Sequence, residues 1–356
     1  MISNNNNILF TELIYSVYTP NLLSVSKNVL SYVDAPCAII LFDLFFLLDF
    51  FVVDEFLYNM HKPILTVFTP AYNRAYSLPL GYEALCRQTC KDFVWLIIDD
   101  GSTDNTRELV ESWMQRDNGF EILYIYQENQ GMHGAHNTAY KNIHTELNTC
   151  IDSDDYMPDN AVEKIVNFWK LFGSDDVAGI IALDADVEGH IIGTKFPKGM
   201  TRTTLAGFYA KGGKGDKKMV YRTDVITRYP EYPIFPGEKY VSLGYKYELI
   251  DQDYELLTLN EPLVCVEYRA DGSSLNMFRQ YVRNPKGFAF IRKSSMQLAP
   301  TAKRRFIEAV HYVSSSMIAR NSHFIAESPR PWLTLAACPL GLLLYVYIRY
   351  KTRNIQ

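Results

Sequence analysis

The segment FVWLIIDDGSTDN (93–105) decides the fold class. Phe93–Ile98 is an unbroken apolar run, the signature of a strand buried on both faces. It stops at two carboxylates, Asp99 and Asp100. A Gly-Ser turn follows, and Thr103 or Asp104 stands where a helix N-cap belongs. Working outward, the same alternation repeats. Ile64–Thr69 (ILTVFT) reads as a buried strand and Ala75–Cys90 as a helix, despite Pro79 near its start. Thr106, Val110, Trp113 and Met114 share a helical face, Ile122–Tyr126 is a third strand, and Gly134–Ile143 a short helix. Thr149–Ile151 is a fourth, very short strand that ends in Asp152-Ser153-Asp154-Asp155. Pro158-Asp159 then opens a helix with Val162, Ile165, Val166 and Trp169 on one face. This spacing predicts an α/β fold: a Rossmann-like, mostly parallel sheet with helices on both faces. Such sheets bind ligands at the carboxyl ends of their strands, where both acidic clusters fall.

Beyond residue 170 the pattern is less regular. Ala178–Ala182 is a strand, residues 184–223 mix Gly, Lys and short apolar runs, and 248–269 reads as a helix followed by the strand LVCVEYR. Ala302–Asn321 is an amphipathic helix in which Phe306, Val310, Val313 and Met317 keep the helical period. The expected organisation is an N-terminal extension (1–59), an α/β domain (60–290) and a C-terminal helical, membrane-associating region (291–356). The extension holds six acids and one base, so it carries the whole net charge of −5. Met60 precedes the first clear strand and is the expected natural start; the rival expectation is a genuine accessory segment.

Apolar residues make up 48% of the 356-residue chain and charged residues 21%, which excludes a disordered protein. The negative balance excludes a nucleic-acid-binding footprint. Six cysteines without any C-x-x-C suit neither a zinc site nor a disulfide framework, and point to a reducing compartment. The phosphate-loop, dinucleotide-binding, nucleophile-elbow and zincin signatures are missing. Residues 37–53 are apolar but contain Asp43 and Asp49, each costing roughly 2.5–3.5 kcal/mol at a bilayer centre. Residues 332–348 are free of charge and would span roughly 26 Å as a helix, with Pro339 and Gly341 expected to interrupt it. Arg330 precedes this stretch, and Arg349, Lys351 and Arg353 follow it.

Four constellations carry chemistry. Asp152-Ser153-Asp154-Asp155 gathers three carboxylates after a strand, hard oxygen donors suited to Mg²⁺ or Mn²⁺ with a bound diphosphate, or else a solvated turn. Asp99-Asp100 can accept from a base imide or ribose hydroxyls, or build a βα turn. GMHGAHN (131–137) places His133 and His136 three residues apart, suited to phosphate or ribose contact more than to a metal. KGGKGDKK (211–218) reads as a flexible basic loop that either closes over a diphosphate or is simply solvated.

Together with Thr69-Pro70-Ala71-Tyr72-Asn73-Arg74, Gln88-Thr89 and Asp152 to Tyr156, these motifs resemble glycosyltransferase family 2, with the GT-A fold. Gly215-Asp216-Lys217, Tyr221 to Asp224 and Phe235 to Tyr240 resemble its bacterial polysaccharide-biosynthesis members. The likeness covers about 64–290. It implies an inverting, metal-dependent transfer from a UDP-sugar donor to a glycan or lipid-linked acceptor, at the cytoplasmic face of the cell membrane. Pro70 and Tyr72 would line the base pocket, Asp100 would accept from the uracil imide, and Asp99 would support that turn. Arg74, His133 and Asn137 would lie near the ribose and diphosphate. Asp152 and Asp154, with Asp155 beside them on the donor, would hold Mn²⁺ or Mg²⁺. Many members show Glu-Asp where this chain has Glu238-Lys239; Glu238 is then the expected catalytic base, with Glu248, Asp251 and Asp253 in reserve. Residues 332–348 would lie in the membrane interface or re-enter it, ahead of a spanning or a buried helix. Two alternatives compete: a sugar nucleotidyltransferase, disfavoured because 69–74 lacks glycine, and an inactive nucleotide-sugar-binding subunit.

Overall fold

The computed structural model describes residues 62–266 and 277–353. The expectations for 1–59, Met60, 37–53 and the end of the LVCVEYR strand lie outside them. The expected alternation is present: β1 (Leu65–Ala71), α1 (Leu78–Arg87), β2 (Phe93–Asp99), α2 (Thr106–Met114), β3 (Glu121–Tyr126), α3 (Met132–Asn142), β4 (Leu147–Cys150), α4 (Ala161–Phe172) and β5 (Val177–Ala185). Then come β6 (Arg202–Thr203), α5 (Leu205–Ala210), β7 (Lys217–Arg222), α6 (Thr223–Ile226), α7 (Gly244–Asp253) and β8 (Glu255–Cys265).

The eight strands form one sheet in the order β3-β2-β1-β4-β7-β5-β8-β6. β1, β2, β3 and β4 pair in parallel, as does β5 with β8. β7 runs antiparallel between β4 and β5, and β6 antiparallel on β8, so the second half departs from the parallel plan. Successive strand residues face opposite sides. Leu65, Val67, Phe93, Trp95 and Ile97 pack with α1, α2 and α4 on one face. Phe68, Leu96 and Ile98 pack with Ala135, Ala139 and Tyr140 of α3 on the other. Within the first layer the Tyr82 and Trp113 rings stack at 4.2 Å, and Trp95 stacks on Trp113 at 5.8 Å.

Element ends differ where local chemistry overrides periodicity. α1 begins at Leu78 and not at Ala75, because the Arg74 carbonyl accepts from Ser77 and Leu78 N–H in a turn, and Pro79 suits a first helical turn. Met114 is 41% exposed: Thr106, Val110 and Trp113 follow the buried stripe and Met114 falls beside it. β8 starts at Glu255, eight residues before the LVCVEYR strand read from the sequence.

The C-terminal part is helical: α8 (Met277–Arg283), α9 (Pro285–Leu298), α10 (Ala302–Ile318) and α11 (Pro331–Lys351). The expected boundary at 290 falls inside α9. Val313, Ala309 and Tyr312 of α10 form a small core with Ala337 and Met296. Pro339 and Gly341 do not interrupt the apolar stretch. α11 runs continuously for 21 residues, about 31 Å at 1.5 Å per residue. Pro339 costs it one backbone hydrogen bond, offset by packing along α10 through Ala337 and Gly341. Gly341 is the crossing point; a Cβ there would stand 2.5 Å from Val313 Cβ.

Candidate active site

Strand order reverses between β1 and β4, and loops leaving two such neighbours go to opposite sides of the sheet and open a crevice at their carboxyl ends. β1 leads into that crevice through Pro70-Ala71-Tyr72. β2 is in register with it, Pro70 opposite Ile98 and Ala71 opposite Asp99. Asp100 N–H donates to the Ala71 carbonyl at 2.7 Å, so the acidic pair is fastened to the end of β1. The Asp152–Asp155 turn follows β4 on the other side.

The loops after β1 and β2 clasp each other. Asn73 sits at φ +53°, a left-handed geometry that Asn tolerates better than most residues. Its side-chain oxygen accepts from Thr103 N–H at 2.8 Å, and its own N–H donates to Ser102 Oγ at 2.9 Å. Tyr72 is half exposed beside it, and the Arg74 guanidinium lies 5.8 Å from the Tyr76 ring centre. The N-cap of α2 is Asn105, one residue past the expected Thr103 or Asp104; Asp104 accepts from Thr106 N–H at 3.1 Å just ahead of it.

Asp99 and Asp100 are both buried, with separate tasks. Asp99 accepts from Ser102 N–H at 2.8 Å and from the Tyr124 hydroxyl at 2.5 Å. Burial first and then Asp99 push the Tyr124 phenol up to about 12. Asp100 accepts from Gln127 Nε2 at 2.6 Å, Gln130 N–H at 2.8 Å and Gly131 N–H at 2.7 Å. Burial raises its pKa, and these three donors oppose the rise. A carboxylate has about four lone-pair sites, so one is left for a ligand. The loop so held passes through Gly131 at φ +84°, where a Cβ would meet the Lys239 carbonyl oxygen at 2.1 Å.

The three residues expected near the ribose and diphosphate do not share one environment. Arg74 is at the loop 72–76. His133 is 1% exposed, and neither ring nitrogen has a partner among the described residues. Burial, then the charge of Lys239, holds it at about 4, so it is neutral at pH 7. Asn137 is committed to the fold: its amide donates to the Tyr232 carbonyl at 2.8 Å and accepts from Tyr232 N–H at 2.9 Å. His136 uses Nδ1 on the Met132 carbonyl at 2.9 Å, and burial holds it near 4 as well.

These histidines set a pH dependence. Both lie below the ordinary 6.5, so between that value and about 4 the unfolded chain binds protons that the native chain refuses. Their contribution is therefore complete above pH 6.5 and is lost as pH falls towards 4, on the order of 1–3 kcal/mol each. Asp100 and Asp184, shifted up by burial, take protons sooner in the native state and offset part of that loss. Melting temperature is expected to drop by several degrees between pH 7 and pH 4.5, less steeply in His136→Phe. An unchanged slope in that variant contradicts the assignment.

On the β4 side, Asp155 N–H donates to the Asp152 carbonyl at 3.0 Å and closes the turn. Asp152 is exposed, Asp154 half-buried and Asp155 buried. Lys218 of β7 donates to the Cys150 carbonyl at 2.8 Å behind the turn. Burial works against its charge; Asp184, Cys150, Asp152 and Asp155 outweigh that and hold its pKa above the ordinary lysine value. Asp184 is only 4% exposed and its Oδ1 has no partner among the described residues. Among the described residues no three His, Cys, Asp or Glu side chains converge as a ready cage for a metal. Asp152 and Asp154 supply two hard oxygen donors on one turn, which fits Mg²⁺ or Mn²⁺ completing its shell with water and substrate phosphate oxygens.

The basic run 211–218 is not a free loop at its end. Lys217 and Lys218 are strand residues, and the buried Lys217 ammonium donates to the carbonyls of Lys214, Gly215 and Asp216. Glu238 is also engaged. Its carboxylate accepts from Lys286 N–H at 3.0 Å and Gly287 N–H at 2.8 Å, at the start of α9. The reserves are similarly placed: Glu248 accepts from Ser295 at 2.7 Å, Asp253 from Tyr229 at 2.7 Å, and Asp251 from Ala206 N–H at 2.7 Å. Lys239, next to Glu238, reaches the Asn129 carbonyl and bears electrostatically on Asp100 and His133. Sequence reading missed Lys218, Asp184 and Gln127. Only the Lys-rich run hinted at the first; the other two lie at strand ends that no motif marks.

Residues 66–229 match the family described as glycosyl transferase family 2. Among curated relatives, glycosyltransferase GlyA of Streptococcus pneumoniae is 31% identical over 136 residues, 37% of this chain and 19% of that protein. Validoxylamine A glucosyltransferase of Streptomyces hygroscopicus is 44% identical over 73 residues, 20% of this chain and 17% of that protein. The matched stretches thus span a minor part of these relatives. Among solved structures, S. aureus TarS 1–349 superposes with a TM-score of 0.50 at 17% identity, covering 82% of this chain and 92% of that one. GalNAc-T7, solved with UDP, GalNAc and Mn²⁺, gives 0.50 at 13% identity, covering 74% and 54%. These likenesses establish a GT-A-like fold.

Proposed function

We propose that this chain, whose residues 66–229 belong to glycosyl transferase family 2, moves a sugar from a UDP-sugar to a glycan or lipid-linked acceptor with inversion. The observation that carries the reading is the acidic turn after β4 facing the Pro70–Arg74 and Asp99–Asp100 loops across the strand-order reversal. GalNAc-T7, of like fold, is recorded with UDP, GalNAc and Mn²⁺, which supports a UDP donor and a divalent ion.

In this reading the uracil lies between Pro70 and Tyr72, with its imide on the remaining lone pair of Asp100. His133, buried and unpartnered among the described residues, gains a hydrogen bond from the ribose or diphosphate; a buried orphan imidazole needs such an explanation. Asp152 and Asp154 would hold Mn²⁺ or Mg²⁺, with Asp155 and Asp184 orienting the sugar. The ion would supply Lewis-acid neutralisation of the departing diphosphate. Glu238 is the proposed base: it retains lone pairs beyond those given to Lys286 and Gly287, and takes the proton of the acceptor hydroxyl as the new bond forms. Glu238→Gln is expected to lower kcat by about 10²-fold or more with donor KM unchanged. A loss of thermal stability with kcat intact would reduce Glu238 to a helix cap.

The engagement of Glu238 at α9, with Lys239 beside it, favours a second reading: a subunit that binds the nucleotide sugar without transferring it. UDP release from a panel of UDP-sugars, with crude lipid extract as acceptor, separates the two. We further propose that α11 contacts the cytoplasmic face of the cell membrane. Its buried residues Thr334, Ala337, Gly341 and Ile348 share one face, while Leu335, Leu342, Leu343 and Val346 are exposed on the other.

A further inference from the structure

The cleft at the N-terminal end of α11 has a chemistry of its own. It encloses about 460 Å³ between the first turns of α10 and α11, lined by Arg305, Arg330, Trp332 and Leu333 with Pro329 and Pro331. Arg305 Nε donates to the Ala299 carbonyl at 2.7 Å, and Arg330 Nε to the Met296 carbonyl at 3.3 Å. Backbone oxygens, not carboxylates, therefore hold both guanidinium groups. Among the described residues, their terminal nitrogens make no hydrogen bond or ion pair and no acid lines the cleft. Two uncompensated guanidinium forks facing one volume are the standard recognition chemistry of a phosphate.

The surroundings say which phosphate. Trp332 stands at the cleft mouth 84% exposed, the least covered large apolar residue described. From it the exposed face of α11 continues through Leu335, Leu342, Leu343 and Val346. An inorganic ion gains nothing from that indole or from the apolar strip. A lipid gains from all three, since indoles favour the depth of headgroups and the strip the depth of acyl chains. Resting on the membrane contact proposed above, we infer that this cleft binds the phosphate headgroup of an anionic membrane lipid, and so fixes where α11 enters the interface.

Trp332 is also the reporter, because Trp95, Trp113 and Trp169 are buried. The full chain is mixed with vesicles of phosphatidylcholine alone, or with phosphatidylglycerol added, and followed by sedimentation and tryptophan emission. Binding to both is expected, about tenfold or more tighter with phosphatidylglycerol, given two cations at the surface. Arg305→Gln/Arg330→Gln should keep the weaker binding and lose the preference. Should that variant fold poorly, Arg305→Lys/Arg330→Lys keeps the charge without the fork and should retain only part of the preference. Undiminished preference in the folded double variant overturns the inference and leaves the membrane contact standing, with Arg349, Lys351 and Arg353 as its source. Inorganic phosphate that shifts Trp332 emission at millimolar concentration and abolishes the preference also overturns it, in favour of a free-anion site. Leu343→Ser/Val346→Ser should weaken binding to both vesicles. If the wild type binds neither, the membrane contact fails and the headgroup site with it.

Discussion

Asp154→Ala is expected to lower sugar transfer by about 10³-fold while leaving the fold intact. The Asp154 carboxylate is half-buried on the turn after β4 and carries no hydrogen bond among the described residues, so its removal leaves no orphaned partner. The turn itself is closed by backbone, Asp155 N–H to the Asp152 carbonyl at 3.0 Å, and survives the change. In the proposed mechanism, what is lost is one of two hard donors to the divalent ion that would offset the charge growing on the leaving diphosphate in the transition state. Removing one preorganised electrostatic contact of that kind typically costs about 10²–10³ in kcat. UDP release in a donor-saturated assay, alongside a thermal melt, checks both halves. Transfer within threefold of wild type would take the acidic turn out of the chemistry, while a matching fall in melting temperature would make it structural.

Gly131→Ala is expected to have the largest effect on the donor loop. At φ +84° and ψ 168° the backbone lies in a region that essentially only glycine occupies, and an alanine there costs about 1–3 kcal/mol. Its methyl would also lie 2.1 Å from the Lys239 carbonyl oxygen, which belongs to backbone and cannot rotate away. The loop must therefore shift, and Gly131 N–H and Gln130 N–H leave the Asp100 carboxylate together. A buried carboxylate stripped of two donors costs about a further 2–3 kcal/mol. Relief by moving the loop is the only way to lessen that sum, and it misplaces His133 and the free lone pair of Asp100. Denaturant unfolding should show a loss of several kcal/mol, and UDP binding should fall at least tenfold in whatever fraction folds. Wild-type affinity in a stable Gly131→Ala protein would contradict the role given to this loop.

Much of this arrangement could be read from residue order. The Phe93–Ile98 run ending at Asp99-Asp100, and Val162, Ile165, Val166 and Trp169 on one helical stripe, are patterns set by local periodicity and burial, and all these apolar residues are core. Pairing is a long-range property and was not legible. The antiparallel insertion of β7 between β4 and β5 depends on where residues 186–216 route the chain, and no local pattern encodes that. α11 shows the same limit: Pro339 and Gly341 are helix breakers by propensity, but packing against α10 overrides them. In the site, the acids after strands announce themselves, whereas the hydrogen bonds that engage Glu238 and Asn137 come from residues 49 and 95 positions away. Motif spacing names candidates; only the tertiary partners tell which of them still have capacity for a ligand.

The most direct test is calorimetric titration of UDP into the full chain with and without Mn²⁺, for wild type and Asp154→Ala. A nucleotide site built from the Pro70–Arg74, Asp100 and Asp152–Asp154 loops predicts UDP binding that tightens with Mn²⁺, and no Mn²⁺ effect in the variant. Wild-type protein that takes up no UDP under either condition would contradict the account.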